Sequence, residues 1–262
     1  MNDKPDAVLL WVADGIADIR FNQPERLNAL SVEVAQGFAS AVDHALADAS
    51  VRVIVLSSEG RAFVAGGDLA HILKAQDRRA AANELIGPIH ATLRRLADAP
   101  QIVIASVKGA VAGAGMSLCM NADLAVAADD AVLNLAYTKI AGSPDCGGSW
   151  ALPRLVGLRR ALEIALLSEN IRADEALALG LVNRVIPRAE LDAATRELAL
   201  RLATGPTTAF GVTKQLLRTS LDRSYADQLD AEAGGFGHCA DHTDFREAAG
   251  AFFEKRKPKF DR

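Results

Sequence analysis

Short apolar runs alternate with helical patterns along the first 150 residues, and this alternation restricts the fold more than any other feature. The runs typical of buried strands are residues 51–56, 102–107 and 124–127. Between such runs, apolar residues recur at helical spacing, as from Val34 to Leu46, where Ser31 is the predicted N-cap. The sequence therefore predicts an α/β fold.

Turn signals and proline positions refine this outline. Asp14-Gly15 separates two strand-like runs and suits a tight hairpin turn. Pro88 is expected to kink or begin a helix. From about Leu152 onward the pattern is almost entirely helical, with one interruption at residues 182–187. We predict an α/β core over residues 1–200 and a helical region over residues 201–262.

Composition excludes several classes of protein. The 262 residues contain 29 Lys and Arg against 33 Asp and Glu, a net charge of −4, so we expect no nucleic-acid partner. The longest uncharged stretch, residues 109–122, is short and glycine-rich for a membrane span, and the N-terminus does not resemble a signal peptide. Three distant cysteines form no disulfide framework. We expect a soluble cytoplasmic protein without a membrane partner.

Motifs of other enzyme classes are absent. The chain has no P-loop, no dinucleotide-binding Gly-x-Gly-x-x-Gly and no Gly-x-Ser-x-Gly elbow. His238 and His242 lie four residues apart, but a third ligand is not evident. We therefore expect no metal site.

Two glycine-containing segments stand where a buried strand gives way to a helix. They are residues 61–69 and 107–118. At such junctions backbone N–H groups are unpaired and can point at a ligand, and two together could hold a developing negative oxygen. Alternatively, these glycines only permit tight turns and close helix packing.

A third segment places Asp145 after a proline and before two glycines, in apolar surroundings that lead into a helix. A carboxylate at this position is either a helix N-cap or a partly desolvated general base. The residues alone leave both interpretations open.

In their order along the chain, these segments resemble the crotonase (enoyl-CoA hydratase/isomerase) superfamily. The similarity covers nearly the whole chain, through residues 21–30, 63–68, 105–123, 143–150, 154–157, 173–183 and 251–260. The resemblance implies a spiral of ββα units with a helical trimerisation region, and a homotrimer or hexamer. It also implies an acyl-CoA thioester substrate and no separate cofactor, because coenzyme A is part of the substrate.

The resemblance assigns roles to individual positions. The backbone N–H groups of Gly67 and Ala114 would stabilise a thioester enolate, with Ala at a place where the family usually has Gly. The positions that match the coenzyme and pantetheine path are Glu25, Arg26, Leu27, Ala65, Asp68 and Leu69. The basic run at residues 255–259 either binds coenzyme phosphates or is a solvated tail.

Departures from the family pattern bear on the reaction. Hydratases of the family carry two glutamates at places that hold Ser117 and Tyr137 here, so ordinary hydration is disfavoured. We expect Ser117 and Tyr137 to line the substrate site. Asp145 matches the single acid/base carboxylate of certain isomerases, which favours a Δ3 to Δ2 shift of a double bond. The segment around Asp145 is also similar to ring-opening isomerases of phenylacetate degradation, which act on a ring epoxide.

Three other functions stay open. One is hydratase-like chemistry in spite of the missing glutamates. Another is that of the halobenzoyl-CoA dehalogenases, in which Asp145 would be a nucleophile assisted by Tyr137, eight residues earlier. The third is a non-catalytic acyl-CoA-binding protein.

Overall fold

A computed structural model describes residues 6–260 of the chain. The strands are β1 (Val8–Ala13), β2 (Ile16–Phe21), β3 (Val53–Ser58), β4 (Val64–Ala65), β5 (Ile102–Val107), β6 (Ala110–Ala112), β7 (Leu124–Ala128), β8 (Val132–Asn134), β9 (Ile171–Arg172) and β10 (Arg184–Ile186). The α-helices are α1 (Val32–Ala47), α2 (Leu69–Lys74), α3 (Arg78–Asp98), α4 (Ala114–Asn121), α5 (Gly148–Val156), α6 (Leu158–Leu167), α7 (Ala173–Ala178), α8 (Leu191–Ala203), α9 (Thr207–Thr219), α10 (Tyr225–Asp241) and α11 (Thr243–Phe253).

From β3 to β8, successive strands alternate between two sheets, and this alternation winds the chain into a spiral. One sheet has the order β1-β2-β3-β5-β7-β10 and the other β4-β6-β8-β9. Except for the antiparallel pairs β1–β2 and β8–β9, neighbouring strands are parallel. Helices follow each pair of strands, as α2 and α3 follow β4 and as α4 follows β6. The predicted spiral of ββα units is confirmed.

The central strands of the six-stranded sheet are buried on both faces. Ile54 and Leu56 of β3 belong to the larger apolar core, which also contains the buried face of α1. Val53 and Val55 belong to a smaller core beneath α8. Because side chains alternate between the two faces of a strand, burial on both faces explains why β3 is continuously apolar in sequence.

Two local predictions for the N-terminal part are confirmed. Asp14 and Gly15 have φ of 55° and 75°, as a two-residue hairpin turn of type I′ requires. Ser31 is the N-cap of α1, and its hydroxyl accepts the N–H of Val34 at 3.2 Å.

The prediction that Pro88 could begin a helix is wrong. α3 begins at Arg78, with the Asp77 carboxylate accepting the N–H of Ala80, and Pro88 lies inside the helix. The carbonyl group of Pro88 accepts a hydrogen bond from the Thr92 hydroxyl at 2.8 Å. The buried face of the helix continues on both sides of the proline, so packing outweighs the lost N–H.

The C-terminal part is helical, as predicted, although it begins at Gly148 rather than Leu152. The two-residue strand β9 was not predicted, because so short a strand has no repeating pattern. The proposed boundary after residue 200 lies inside α8, and the division into two regions stays a prediction. Within residues 6–260, no helix combines the length and apolar character needed to cross a bilayer.

Candidate active site

Two parallel strands bring the glycine-containing segments together. β4 pairs with β6 in a register that places Val64 beside Val111 and Ala65 beside Ala112. Two residues further along each strand, this register leads to Gly67 and Ala114. Beyond the paired residues the two segments stay in contact, since a Cβ on Gly113 would lie 3.4 Å from the Cα of Gly66, and these glycines directly precede Ala114 and Gly67.

The N–H of Gly67 faces away from the strand pairing. Leu30 is hydrogen-bonded to the residues on either side of Gly67: its N–H donates to the Gly66 carbonyl at 2.8 Å, and its carbonyl accepts the N–H of Asp68 at 2.9 Å. Because successive N–H groups of extended backbone point to opposite sides, that of Gly67 points outward. Gly67 is exposed, and a Cβ atom there would meet nothing within 4 Å.

Ala114 is the first residue of α4, so its N–H belongs to the unpaired first turn of a buried helix. The positive end of the helix dipole lies at the same place. Gly113 precedes it with φ of 53°, and the helical backbone of Ala114 itself accommodates a Cβ. An oxygen near both Gly67 and Ala114 would therefore accept two hydrogen bonds, the arrangement of an oxyanion hole.

Asp145 does not cap α5, so one of its two interpretations is excluded. Its carbonyl accepts the N–H of Gly148 at 2.9 Å across a turn in which Cys146 and Gly147 have φ of 48° and 74°. Positive φ at both central residues defines a type I′ turn. Gly147 is the N-cap of α5, and the Asp145 side chain has another partner.

The side chains of Asp145, Tyr137 and Ser117 form a hydrogen-bonded chain. The hydroxyl of Tyr137 donates a hydrogen bond to Oδ1 of Asp145. The Ser117 hydroxyl lies 3.3 Å from the same Tyr137 oxygen. Ser117 is fully buried in α4, Tyr137 follows β8 and is 9% exposed, and Asp145 is partly exposed. The structure thus brings together three residues that are predicted to belong to the site.

Burial keeps the proton donors beside Asp145 neutral. Burial, followed by the nearby Asp145 carboxylate, raises the pKa of the Tyr137 phenol well above its usual range. The same two causes, in the same order, raise the pKa of the Cys146 thiol. Tyr137 therefore remains a hydrogen-bond donor to Asp145 throughout the physiological pH range.

The residues predicted to line the coenzyme path lie beside the same strand edge. The carbonyl of Leu27 accepts the N–H of Ala65 at 3.1 Å, which holds the exposed turn of Glu25 and Arg26 against β4. The Asp68 carboxylate is the N-cap of α2, so part of its hydrogen-bonding capacity is already used. Leu69 is 41% exposed at the start of that helix.

The basic run at residues 255–259 is partly neutralised within the chain. Arg256 forms ion pairs with Glu247 and Glu254. Hydrogen bonds from Arg256 and from the Lys259 backbone lower the pKa of Glu247 to about 2. Arg256 is therefore a poorer candidate for coenzyme phosphates than the lysines on either side.

Sequence reasoning missed three polar residues that shape the site. Asn28, buried, accepts the N–H of Gln23 and donates to the backbone carbonyls of Glu59 and Ala62. His90 of α3 and Asn121 of α4 both contact the backbone of Cys146. No local pattern identifies such residues, since most of their partners are distant in sequence.

Groups of His, Cys, Asp and Glu that could hold a metal ion are absent from the described part of the chain, residues 6–260. His242 instead caps α11, where its Nδ1 accepts the N–H of Asp244 at 3.2 Å. Cys119, Cys146 and Cys239 are free thiols.

Comparisons with known proteins identify the family. The sequence model of the family described as "Enoyl-CoA hydratase/isomerase" matches residues 12–262. A protein of Rhodobacter capsulatus named "Probable enoyl-CoA hydratase" is 37% identical over 250 residues, which cover 95% of both chains. The 1,2-epoxyphenylacetyl-CoA isomerase of Escherichia coli is 34% identical over 258 residues, 97% of both chains. The crystal structure of an enoyl-CoA hydratase from Polaromonas sp. JS666 superposes with a TM-score of 0.90 at 30% identity, covering 97% of this chain and 99% of that one.

Fold and sequence together place the protein in the crotonase superfamily. Within that superfamily, the chain belongs to the enoyl-CoA hydratase/isomerase family and is an enzyme of that family.

Proposed function

We propose that the protein shifts the double bond of a 3-enoyl-CoA to the 2-position, with Asp145 as the single acid/base. The observation that carries this proposal is a hydrogen-bonded chain through the two glutamate positions of the hydratases: the Ser117 hydroxyl contacts that of Tyr137, and Tyr137 donates to Asp145. One carboxylate is sufficient for an isomerisation that neither gains nor loses a proton.

The first step is polarisation of the thioester. The carbonyl oxygen of the substrate accepts hydrogen bonds from the N–H groups of Gly67 and Ala114, and the α4 dipole favours negative charge at that oxygen. Loss of one such donor typically costs about 2.7–4 kcal/mol of transition-state stabilisation. The pair thus makes the proton on C2 acidic enough for a carboxylate to remove.

Proton transfer completes the reaction. The Asp145 carboxylate takes the C2 proton, and the electron pair of that bond delocalises over the dienolate and its oxygen. The same carboxyl group returns the proton to C4, the 2,3 double bond forms and the oxygen again becomes a carbonyl. A positioned acid/base of this kind contributes about 10²–10⁴-fold to the rate.

Tyr137 orients the base in this scheme. Its hydroxyl is bonded to Oδ1, so Oδ2 of Asp145 is the oxygen that meets the substrate. Because the raised pKa of Tyr137 keeps the phenol protonated, it cannot itself serve as the second base that activation of water requires. Hydration is therefore disfavoured.

The same oxyanion donors and the same carboxylate could act on substrates derived from phenylacetyl-CoA. In a ring epoxide of phenylacetyl-CoA, removal of a proton next to the thioester carbonyl gives an enolate whose electron pair can break the epoxide C–O bond at the adjacent ring carbon, and the alkoxide so formed takes the proton back from Asp145. The 34% identity with the 1,2-epoxyphenylacetyl-CoA isomerase of Escherichia coli supports including this substrate class. Such ring epoxides should therefore be assayed together with aliphatic 3-enoyl-CoA thioesters.

Dehalogenation is the second candidate, and the contact between Tyr137 and Asp145 at the expected spacing favours it. Asp145 would attack a halogen-bearing ring carbon, halide would leave, and hydrolysis of the aryl ester would release the hydroxylated product. Hydrolysis at the carboxyl carbon leaves an Asp145 oxygen in the product and transfers a solvent oxygen to the enzyme.

A panel of acyl-CoA thioesters assayed in heavy water and in ¹⁸O water distinguishes these functions. The isomerase exchanges C2 and C4 protons of 3-enoyl substrates and takes up no ¹⁸O, whereas dehalogenation releases halide and labels Asp145 and, after further turnovers, the product. Coenzyme A binding without turnover of any thioester would indicate a non-catalytic protein.

Asp145→Asn tests the role of the carboxylate. We expect kcat for the 3-enoyl to 2-enoyl conversion to fall by about 10²–10⁴-fold, because the amide cannot accept the proton. Affinity for a non-reactive acyl-CoA, measured by calorimetry, should change by less than about threefold. Comparable turnover in variant and parent would exclude Asp145 as the base.

We also propose that the enzyme is a homotrimer or hexamer. Exposed leucines support this assembly: Leu158, Leu162 and Leu166 recur at helical spacing along α6, and Leu155 lies near the end of α5. Light scattering on the purified protein tests it, and a monomer at micromolar concentration would contradict it.

A further inference from the structure

The turn that carries Asp145 is held by two side chains that the mechanism above does not use. The N–H of Cys146 donates to Nε2 of His90, on α3, at 3.1 Å. The carbonyl of Cys146 accepts from Nδ2 of Asn121, on α4, at 3.0 Å, and Asn121 also donates to the Ser117 carbonyl at 2.8 Å. Both peptide groups that flank the Cα of Cys146 are therefore fixed by two different helices.

The turn needs such support because its conformation is unfavourable on its own. Cys146 has φ of 48°, a left-handed conformation that is disfavoured for residues with a Cβ. The residues that lead into Asp145 are exposed from Ala141 to Ser143 and include Gly142. Backbone of this kind persists where surrounding contacts over-determine it, and such contacts come here from α3 and α4.

Packing against α4 limits movement of the turn in that direction. A Cβ on Gly147 would lie 2.7 Å from Nδ2 of Asn121, and one on Gly148 would lie 2.4 Å from Oγ of Ser117. The two glycines thus bring the turn into close contact with α4. The His90 bond is the corresponding contact with α3, and it acts on the peptide group directly after the Asp145 Cα.

We infer that His90 is a positioning residue for the proposed reaction: its bond to the Cys146 N–H sets the direction of the Asp145 side chain. The inference rests on the proposed function, because that function makes the position of Asp145 matter for the rate. A backbone N–H only donates, so Nε2 of His90 is the unprotonated nitrogen in this contact. Displacement of a reacting group by about 1 Å costs about 10²-fold in rate, so the effect falls on kcat.

Two substitutions of His90 separate positioning from a general structural role. In His90→Leu the acceptor is lost, and we expect kcat to fall by about 10–100-fold while KM changes by less than about threefold. In His90→Gln the amide oxygen can accept the same hydrogen bond, and we expect kcat within about threefold of the parent. His44→Leu is the matched control, since His44 is exposed on α1 and contacts Ser40 one turn earlier.

Either of two kinetic results would overturn the inference. Equal losses in His90→Leu and His90→Gln would mean that the imidazole itself is required, and unchanged kcat in His90→Leu would mean that the bond has no effect on Asp145.

Hydrogen exchange of the Cys146 amide provides a measurement that does not depend on turnover. We expect its protection to be lost in His90→Leu and retained in His90→Gln. Unchanged protection of this amide in His90→Leu would refute the proposed role of the His90 hydrogen bond, even if the variant had lost catalytic activity. If the parent protein converts no 3-enoyl-CoA while the exchange results hold, the proposed function fails and the His90 contact stands.

Discussion

Gly115 offers a sharp test of the proposed oxyanion site, because a single methyl group there must push two elements apart. The residue follows Ala114 in the first turn of α4, and a Cβ would lie 2.0 Å from the carbonyl oxygen of Val64 in β4. A carbon–oxygen contact needs about 3.3 Å, so Gly115→Ala requires a separation of about 1.3 Å. Since Val64 lies three residues before Gly67, this movement separates the two proposed donors.

The expected loss follows from that displacement. A misplacement of about 1 Å costs about 10²-fold, and complete loss of one oxyanion donor costs about 10²–10³-fold in kcat. We therefore expect kcat of Gly115→Ala to fall by about 10²-fold. Overpacking of this buried turn also lowers the free energy of unfolding by about 1–3 kcal/mol.

Steady-state kinetics on the substrate that the thioester panel identifies, together with urea denaturation, measure the two effects separately. Gly234→Ala is the control, because a Cβ at Gly234 in α10 meets nothing within 4 Å. If Gly115→Ala retained kcat within about threefold while folding normally, the argument that these two amides act together would be refuted. An equal loss of kcat in Gly234→Ala would show that the steric clash at Gly115 is not the cause of the loss.

Two further predictions concern stability. Tyr137→Phe removes the hydroxyl that links Asp145 to Ser117. Because a hydrogen bond to a charged group is lost, the free energy of unfolding measured by urea denaturation should fall by about 1.5–3 kcal/mol. A change below about 0.5 kcal/mol would contradict the importance of this contact. Burial raises the pKa of the Cys119 thiol to about 12, so between about pH 9 and 12 the folded protein binds the proton more tightly than the unfolded chain, and stability falls as pH rises. Relative to Cys119→Ala, the parent protein should lose about 1 kcal/mol of unfolding free energy between pH 9 and 10, and parallel pH dependences would show that the thiol does not contribute.

Local features of the fold were predictable because their causes lie within a few residues. Asp14-Gly15 forms its turn through its own backbone preferences, and Ser31 caps α1 through a hydrogen bond to a residue three positions later. The strand at residues 102–107 has the predicted bounds, since its burial on both faces requires an uninterrupted apolar run. Pro88 is the counter-example, because the buried face of α3 outweighs a local helix-breaking preference.

The class of fold and the two strand-to-helix junctions could be predicted from hydrophobic patterns and glycine positions, and the residues that the family uses could be predicted from resemblance. The partner of the Asp145 side chain could not be predicted in this way, because the residues alone fit an N-cap equally well. Its partner Tyr137 lies eight residues earlier, Ser117 lies 20 residues before Tyr137, and His90 lies 56 residues before Cys146. These groups meet because parallel strands with helical connections bring the ends of separate ββα units to one edge, which is a property of the sheet register and not of any local segment.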